Sequence, residues 1–152
     1  MKALWLFVHF AGLAFWIGGG LAAMCVAKVV RRDDRGSQRT VARAQAAIVR
    51  KVIAPGAVMV VLSGLVLTLR MMNAFETGMS HWLMTMQGAG LLGALLTLIF
   101  SLPAAGRIGR TDPEAEPATF DALRRRLALV GSIAGVLAWI ALIAGVAYRT
   151  GV

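Results

Sequence analysis

The chain has 152 residues, of which 59% are apolar and 15% charged, and it carries a net charge of +9. A soluble domain is roughly 45–50% apolar and about 25% charged, so this composition excludes a soluble enzyme, a disordered chain and a nucleic-acid module, and describes a single-domain membrane protein. One cysteine excludes a disulfide framework within the chain and a cysteine-based zinc site.

Four apolar stretches follow one another, over residues 3–27, 52–69, 82–105 and 127–148. Each is near or above the ~20 residues that a helix needs to cross a ~30 Å hydrocarbon core. None alternates as a membrane β-strand does, and a lipid-exposed backbone must satisfy its own hydrogen bonds, so helices are expected throughout. The first stretch is too long for the ~7–15-residue apolar core of a signal peptide and is read as a retained helix. Short connections favour antiparallel neighbours. The expected fold is therefore an all-α, up-down, four-helix membrane bundle forming one domain over residues 1–152.

The charges report orientation. The connections 28–51 and 106–126 hold thirteen basic residues, whereas the 70–81 connection and the two termini hold only Lys2, Arg70 and Arg149. The positive-inside rule puts the thirteen in the cytoplasm and both termini on the outer, periplasmic side of a bacterial inner membrane. Within the first connection, residues 38–51 carry Val41, Ile48 and Val52 on roughly one face and extend the second helix or lie along the headgroups. Pro55-Gly56 is expected to kink that helix, and Thr119-Phe120-Asp121 to cap a helix entering at Ala122.

Small residues mark packing faces: Gly12 and Gly18-Gly19-Gly20 in the first helix, Gly88, Gly90 and Gly93 in the third, Gly131, Gly135, Ala138, Ala141 and Gly145 in the fourth. They let backbones approach closely where lipid supplies no hydrophobic drive.

Polar groups inside the spans are few: His9, Ser63, Thr68, Thr85, Gln87, Thr97, Ser101 and Ser132. Hydroxyls bond back to their own helix, so His9 and Gln87 carry the signal, both roughly five or six residues from the outer end. His9, Gly12, Trp16 and Gly19 share one helix face. Two readings stand side by side: a histidine beside a flat ligand, or one hydrogen-bonded to Gln87 or a backbone carbonyl for packing alone. At the outer rim, Met71, Met72, Met79, His81, Met84 and Met86 bring thioether and imidazole together, the donor types that suit Cu(I), although methionine is also ordinary membrane filler. No span contains a carboxylate, which argues against a proton-coupled carrier.

The first-helix pattern Trp5, His9, Gly12, Trp16, Gly18-Gly19 resembles the opening of the four-helix HemJ-type protoporphyrinogen oxidases and of the related CopD-like copper-resistance membrane domains. Residues 39–51 running into Ile53-Ala54-Pro55-Gly56 and Ser63-Gly64-Leu65 resemble the second helix of the HemJ-like proteins, and His81-Trp82-Leu83 resembles the start of their third. The resemblance covers residues 3–105 and implies haem b with His9 as a ligand, in a redox or haem-biosynthetic role. The family's lysine, four residues after the third-helix tryptophan, is Met86 here, a thioether that can serve as second axial ligand. Gln87 and Trp16 would line the cofactor, and Arg70 and Arg149 would pair with its propionates. A CopD-like copper protein would draw on His9, His81, Met79, Met84 and Met86. A cofactor-free assembly subunit, alone or associating with itself or a membrane redox partner, is the third reading. No nucleic-acid partner is expected.

The charge asymmetry makes a prediction. A cysteine placed at Glu76 should react with an impermeant reagent added to intact cells, and one at Pro113 should not; the reverse pattern would invert the topology.

Overall fold

The computed structural model describes residues 2–29, 35–72 and 80–151; Glu76 and Met79 lie outside them. The chain forms α1 (Lys2–Val29), α2 (Arg35–Ile48), a π-helical turn (Val49–Ile53), α3 (Ala54–Met72), α4 (His81–Leu95), a second π-helical turn (Leu96–Ser101), α5 (Leu102–Ile108) and α6 (Pro117–Thr150). These join into four rods: α1 alone, α2 with α3, α4 with α5, and α6 alone. All four are long and apolar enough to cross a membrane.

The two π-helical turns each end just before a proline, Pro55 and Pro103. Proline has no N–H and its ring collides with the carbonyl one turn back. Widening the helix there re-pairs the backbone: the Ala54 N–H reaches the Val49 carbonyl and the Leu102 N–H reaches the Thr97 carbonyl, both five residues away. Where a kink is expected at Pro55-Gly56, a π-helical turn is found one step earlier, and the second rod runs on unbroken. Residues 38–51 do extend that rod. Gln45 Nε2 donates to the Ala23 carbonyl at 3.0 Å, tying α2 to the last turns of α1.

The fourth rod begins earlier than its capping signal implies. Its first residue is Pro117, pre-set in φ for a helix start, and Glu116 flanks it without a side-chain cap. The Asp112 carboxylate instead accepts the Glu114 N–H at 3.0 Å and pairs with Arg39 at 3.1 Å. The Glu114 N–H, helped by Arg39, holds the Asp112 carboxyl below its usual range. Ala42, Ile108 and Phe120 bury one another beside this link and close the basic end of the bundle.

α1 lies along α3, and α4 along α6. At the first seam the glycines are essential. A Cβ on Gly56 would sit 2.7 Å from the Trp16 nitrogen and 2.9 Å from the Gly12 carbonyl, and one on Gly12 would sit 2.9 Å from the Gly56 carbonyl. Gly19 receives Ile53, where a Cβ would come within 2.8 Å of Cγ1. At the second seam Gly145 receives the Met86 sulfur and Gly90 meets Ala141. Gly18, Gly20, Gly88 and Gly131 have nothing within 4 Å of where a Cβ would point, so not every small residue is a packing residue.

Gly56→Ala should therefore lower unfolding stability in detergent by about 1–3 kcal/mol through overpacking. Gly18→Ala should leave it unchanged or raise it by up to about 1 kcal/mol, since only helix propensity changes. Equal effects of the two would show that the α1–α3 seam is not held by backbone contact.

Candidate functional site

His9 sits on α1, half-buried against α3. Its Nδ1 lies 3.2 Å from the Val60 carbonyl and 3.0 Å from Ser63 Oγ. A carbonyl only accepts, and the Ser63 hydroxyl donates back to the Met59 carbonyl of its own helix. Nδ1 therefore carries the hydrogen, and the lone pair of the neutral ring is on Nε2. Gly64 makes room for the ring: a Cβ there would stand 3.3 Å from His9 Cε1. A histidine whose Nδ1–H is held by a carbonyl, with Nε2 unbonded among the described residues, is oriented as metal-ligating histidines are.

The two readings of His9 thus meet in one geometry. The backbone-carbonyl partner exists, on the second rod, and it fixes one ring nitrogen while leaving the other available. Gln87 is not its partner. Gln87 Nε2 donates to Thr68 Oγ1 at 2.8 Å, and Thr68 in turn donates to the Gly64 carbonyl, so the amide joins the third rod to the second, one turn from His9's seat.

The face shared by His9, Gly12, Trp16 and Gly19 is observed, and its partner is α3 with the π-helical turn before it. Trp16 goes further. Its indole is 3% exposed, rests on Gly93 and donates to Thr97 Oγ1 at 3.2 Å. Thr97 donates to the Gly93 carbonyl, which orients its oxygen to accept. Trp16 is thereby the cross-brace between the first and third rods.

The remaining candidates are spread out. Met86 packs its sulfur on Gly145 of α6, whereas His9 is bonded to α3. Arg70 and Arg149 are exposed in the last turns of α3 and α6, at the end opposite the basic one. His81 opens α4, exposed, with its ring 4.9 Å from that of Trp82, and Met84 is exposed one turn on. Met79, the third member of that copper set, is among the residues not described. Among the described residues no three of His, Cys, Asp or Glu gather as a metal site, and Cys25 is free and exposed.

Sequence reasoning missed Ser63 and Gly64 as the seat of His9, and Gly56 as the partner of Gly12. The available signal was the spacing of Gly56, Ser63 and Gly64, which repeats the small-residue face of α1 on the second helix.

Trp16→Phe should cost about 1 kcal/mol, from the lost hydrogen bond to buried Thr97, and Trp16→Ala about 3–5 kcal/mol, from the cavity over Gly93. Unfolding by denaturing detergent measures both, and an unaffected Trp16→Ala protein would remove the cross-brace. Comparison of the chain with protein-family models, with curated proteins and with solved structures yields no match.

Proposed function

We propose that the chain is a multi-pass membrane protein of the HemJ/CopD-like type that binds haem b through His9 and serves a redox or haem-biosynthetic role. The observation that supports it is the Nδ1–H of His9 held by Val60 and Ser63, with Nε2 unbonded among the described residues, within an apolar helix. Charge segregation supports the orientation: Lys28, Arg39, Arg43 and Arg124–Arg126 gather at one end, Arg70 and Arg149 at the other. By the positive-inside rule the first end is cytoplasmic, in the inner membrane of a bacterium.

His9 fits haem iron: an imidazole oriented through its Nδ1–H, with Nε2 left without a partner among the described residues. Met86 is the proposed second ligand, and using it requires release of its contact with Gly145. Arg70 and Arg149 would pair with the propionates at the outer end. Bound there, haem would supply one-electron chemistry in a low-dielectric site. The chain's own contribution is to set the tautomer of His9, exclude water around it and hold α1 on α3.

The test is a haemin titration of purified protein in detergent, followed by absorption. A 1:1 Soret band is expected. His9→Ala should lose it while still inserting, and Ser63→Ala should weaken binding by about tenfold through loss of ring orientation. A band that survives His9→Ala overturns the site. Stoichiometric copper without a Soret band would instead favour the outer set of His81, Met84 and Met79, and neither would leave a cofactor-free subunit.

A further inference from the structure

The first and fourth rods are the pair that do not close. α1 packs on α3 and α6 packs on α4, and between α1 and α6 lies a cavity of about 850 Å³. Its walls are largely apolar and include small residues on both sides, Gly20, Ala23 and Ala27 on α1 and Gly131, Ala134 and Gly135 on α6. Along α6 it runs from Asp121 to Trp139, which at ~1.5 Å per residue is about 25 Å, most of the ~30 Å depth of a hydrocarbon core.

Its charged residues are confined to one end. Lys28, Arg124 and Arg125 stand at the basic end, offset only by Asp121 among the charged residues that line it. Further in, Ser101 lines the cavity, 5% exposed, and its Oγ has no hydrogen-bond partner among the described residues. The neighbouring Thr97 hydroxyl, by contrast, is fully used by Trp16 and Gly93. Ile108 packs on Phe120, and Arg124 flanks the same cluster, so Ser101 lies roughly one to two helical turns deeper than the arginines. An unpaired hydroxyl in an apolar wall loses a hydrogen bond unless an occupant supplies an acceptor.

We propose that this groove holds one anionic phospholipid from the bilayer. The phosphate pairs with Arg124, Arg125 and Lys28, an ester carbonyl accepts from Ser101 Oγ once that buried hydroxyl turns toward the groove, and an acyl chain fills the length between α1 and α6. The match is one of order along the groove: cations at one end, an unsatisfied donor further in, then a wall that is apolar but for Thr97 and Ser132. Arginine suits the phosphate because its planar fork donates to two oxygens at once. The proposal rests on the reading of the chain as a membrane protein and is independent of haem at His9.

The test uses the purified, delipidated full chain titrated with phosphatidylglycerol or phosphatidylcholine, reading retained lipid by native mass spectrometry and the unfolding midpoint. One phosphatidylglycerol should bind with at least about tenfold preference, since basic residues near the surface attract an anionic lipid. Arg124→Gln/Arg125→Gln should bring the preference near unity. Gly131→Leu should abolish retention of both lipids; a Cβ at Gly131 meets nothing within 4 Å, so the side chain enters the groove without disturbing the helix seams. Ser101→Ala should weaken retention while keeping the preference. Equal binding of the two lipids by the wild-type chain, or a preference that survives Gly131→Leu, overturns the proposal. A chain recovered outside the membrane fraction would overturn the membrane reading itself, and the same lipid preference in His9→Ala separates this site from the haem proposal.

Discussion

The backbone contact between Gly12 and Gly56 sets the geometry on which the other features depend. With no Cβ on either residue, α1 and α3 meet backbone to backbone, and the Trp16 nitrogen comes to lie beside Gly56. In helices apolar enough to cross a membrane, side chains would gain nothing from leaving lipid for one another, so close approach and the dispersion it permits are what can hold such helices together. That approach brings His9 within hydrogen-bond distance of Val60 and Ser63 and aims the Trp16 indole across the bundle at Thr97. A single methyl group at the glycine seam would separate all of these partners at once.

The two prolines act on the same geometry. Each is accommodated by a π-helical turn, and the first of these turns delivers Ile53 onto Gly19. The seams α1–α3 and α4–α6 are thereby close-packed, while α1 and α6 meet loosely. The open seam is the groove. A bundle of this kind contains two tight helix pairs, braced by Trp16 and Gln87, with a lateral opening where the pairs are not sealed.

In an apolar medium each buried polar group needs a partner, and most of those described here have one on the same helix or the next. Ser63, Thr68 and Thr97 bond to carbonyls one turn back and offer their oxygens to His9, Gln87 and Trp16 respectively. One hydroxyl thus serves twice, satisfying itself and orienting a functional side chain from another rod. Ser101 is the exception among the described residues, and it is one of the residues that line the groove.

The amino-acid order alone determined the class and the rods. Apolar runs of about twenty residues have few alternatives in a membrane, and the segregation of lysine and arginine is readable without coordinates. The face of His9, Gly12, Trp16 and Gly19 was also legible, because 3.6 residues per turn fixes which positions align. What that face touches was not. Periodicity says which residues share a side of a helix and nothing about which neighbouring helix supplies Val60, Ser63 or Thr97. Gly131 and Gly145 look alike in sequence, yet one opens onto a groove and the other receives Met86, because only the three-dimensional pairing of α6 with α4 and not with α1 distinguishes them. The tautomer of His9 was likewise decided by the tertiary structure, since a histidine is committed only when a carbonyl from another helix arrives at one of its nitrogens.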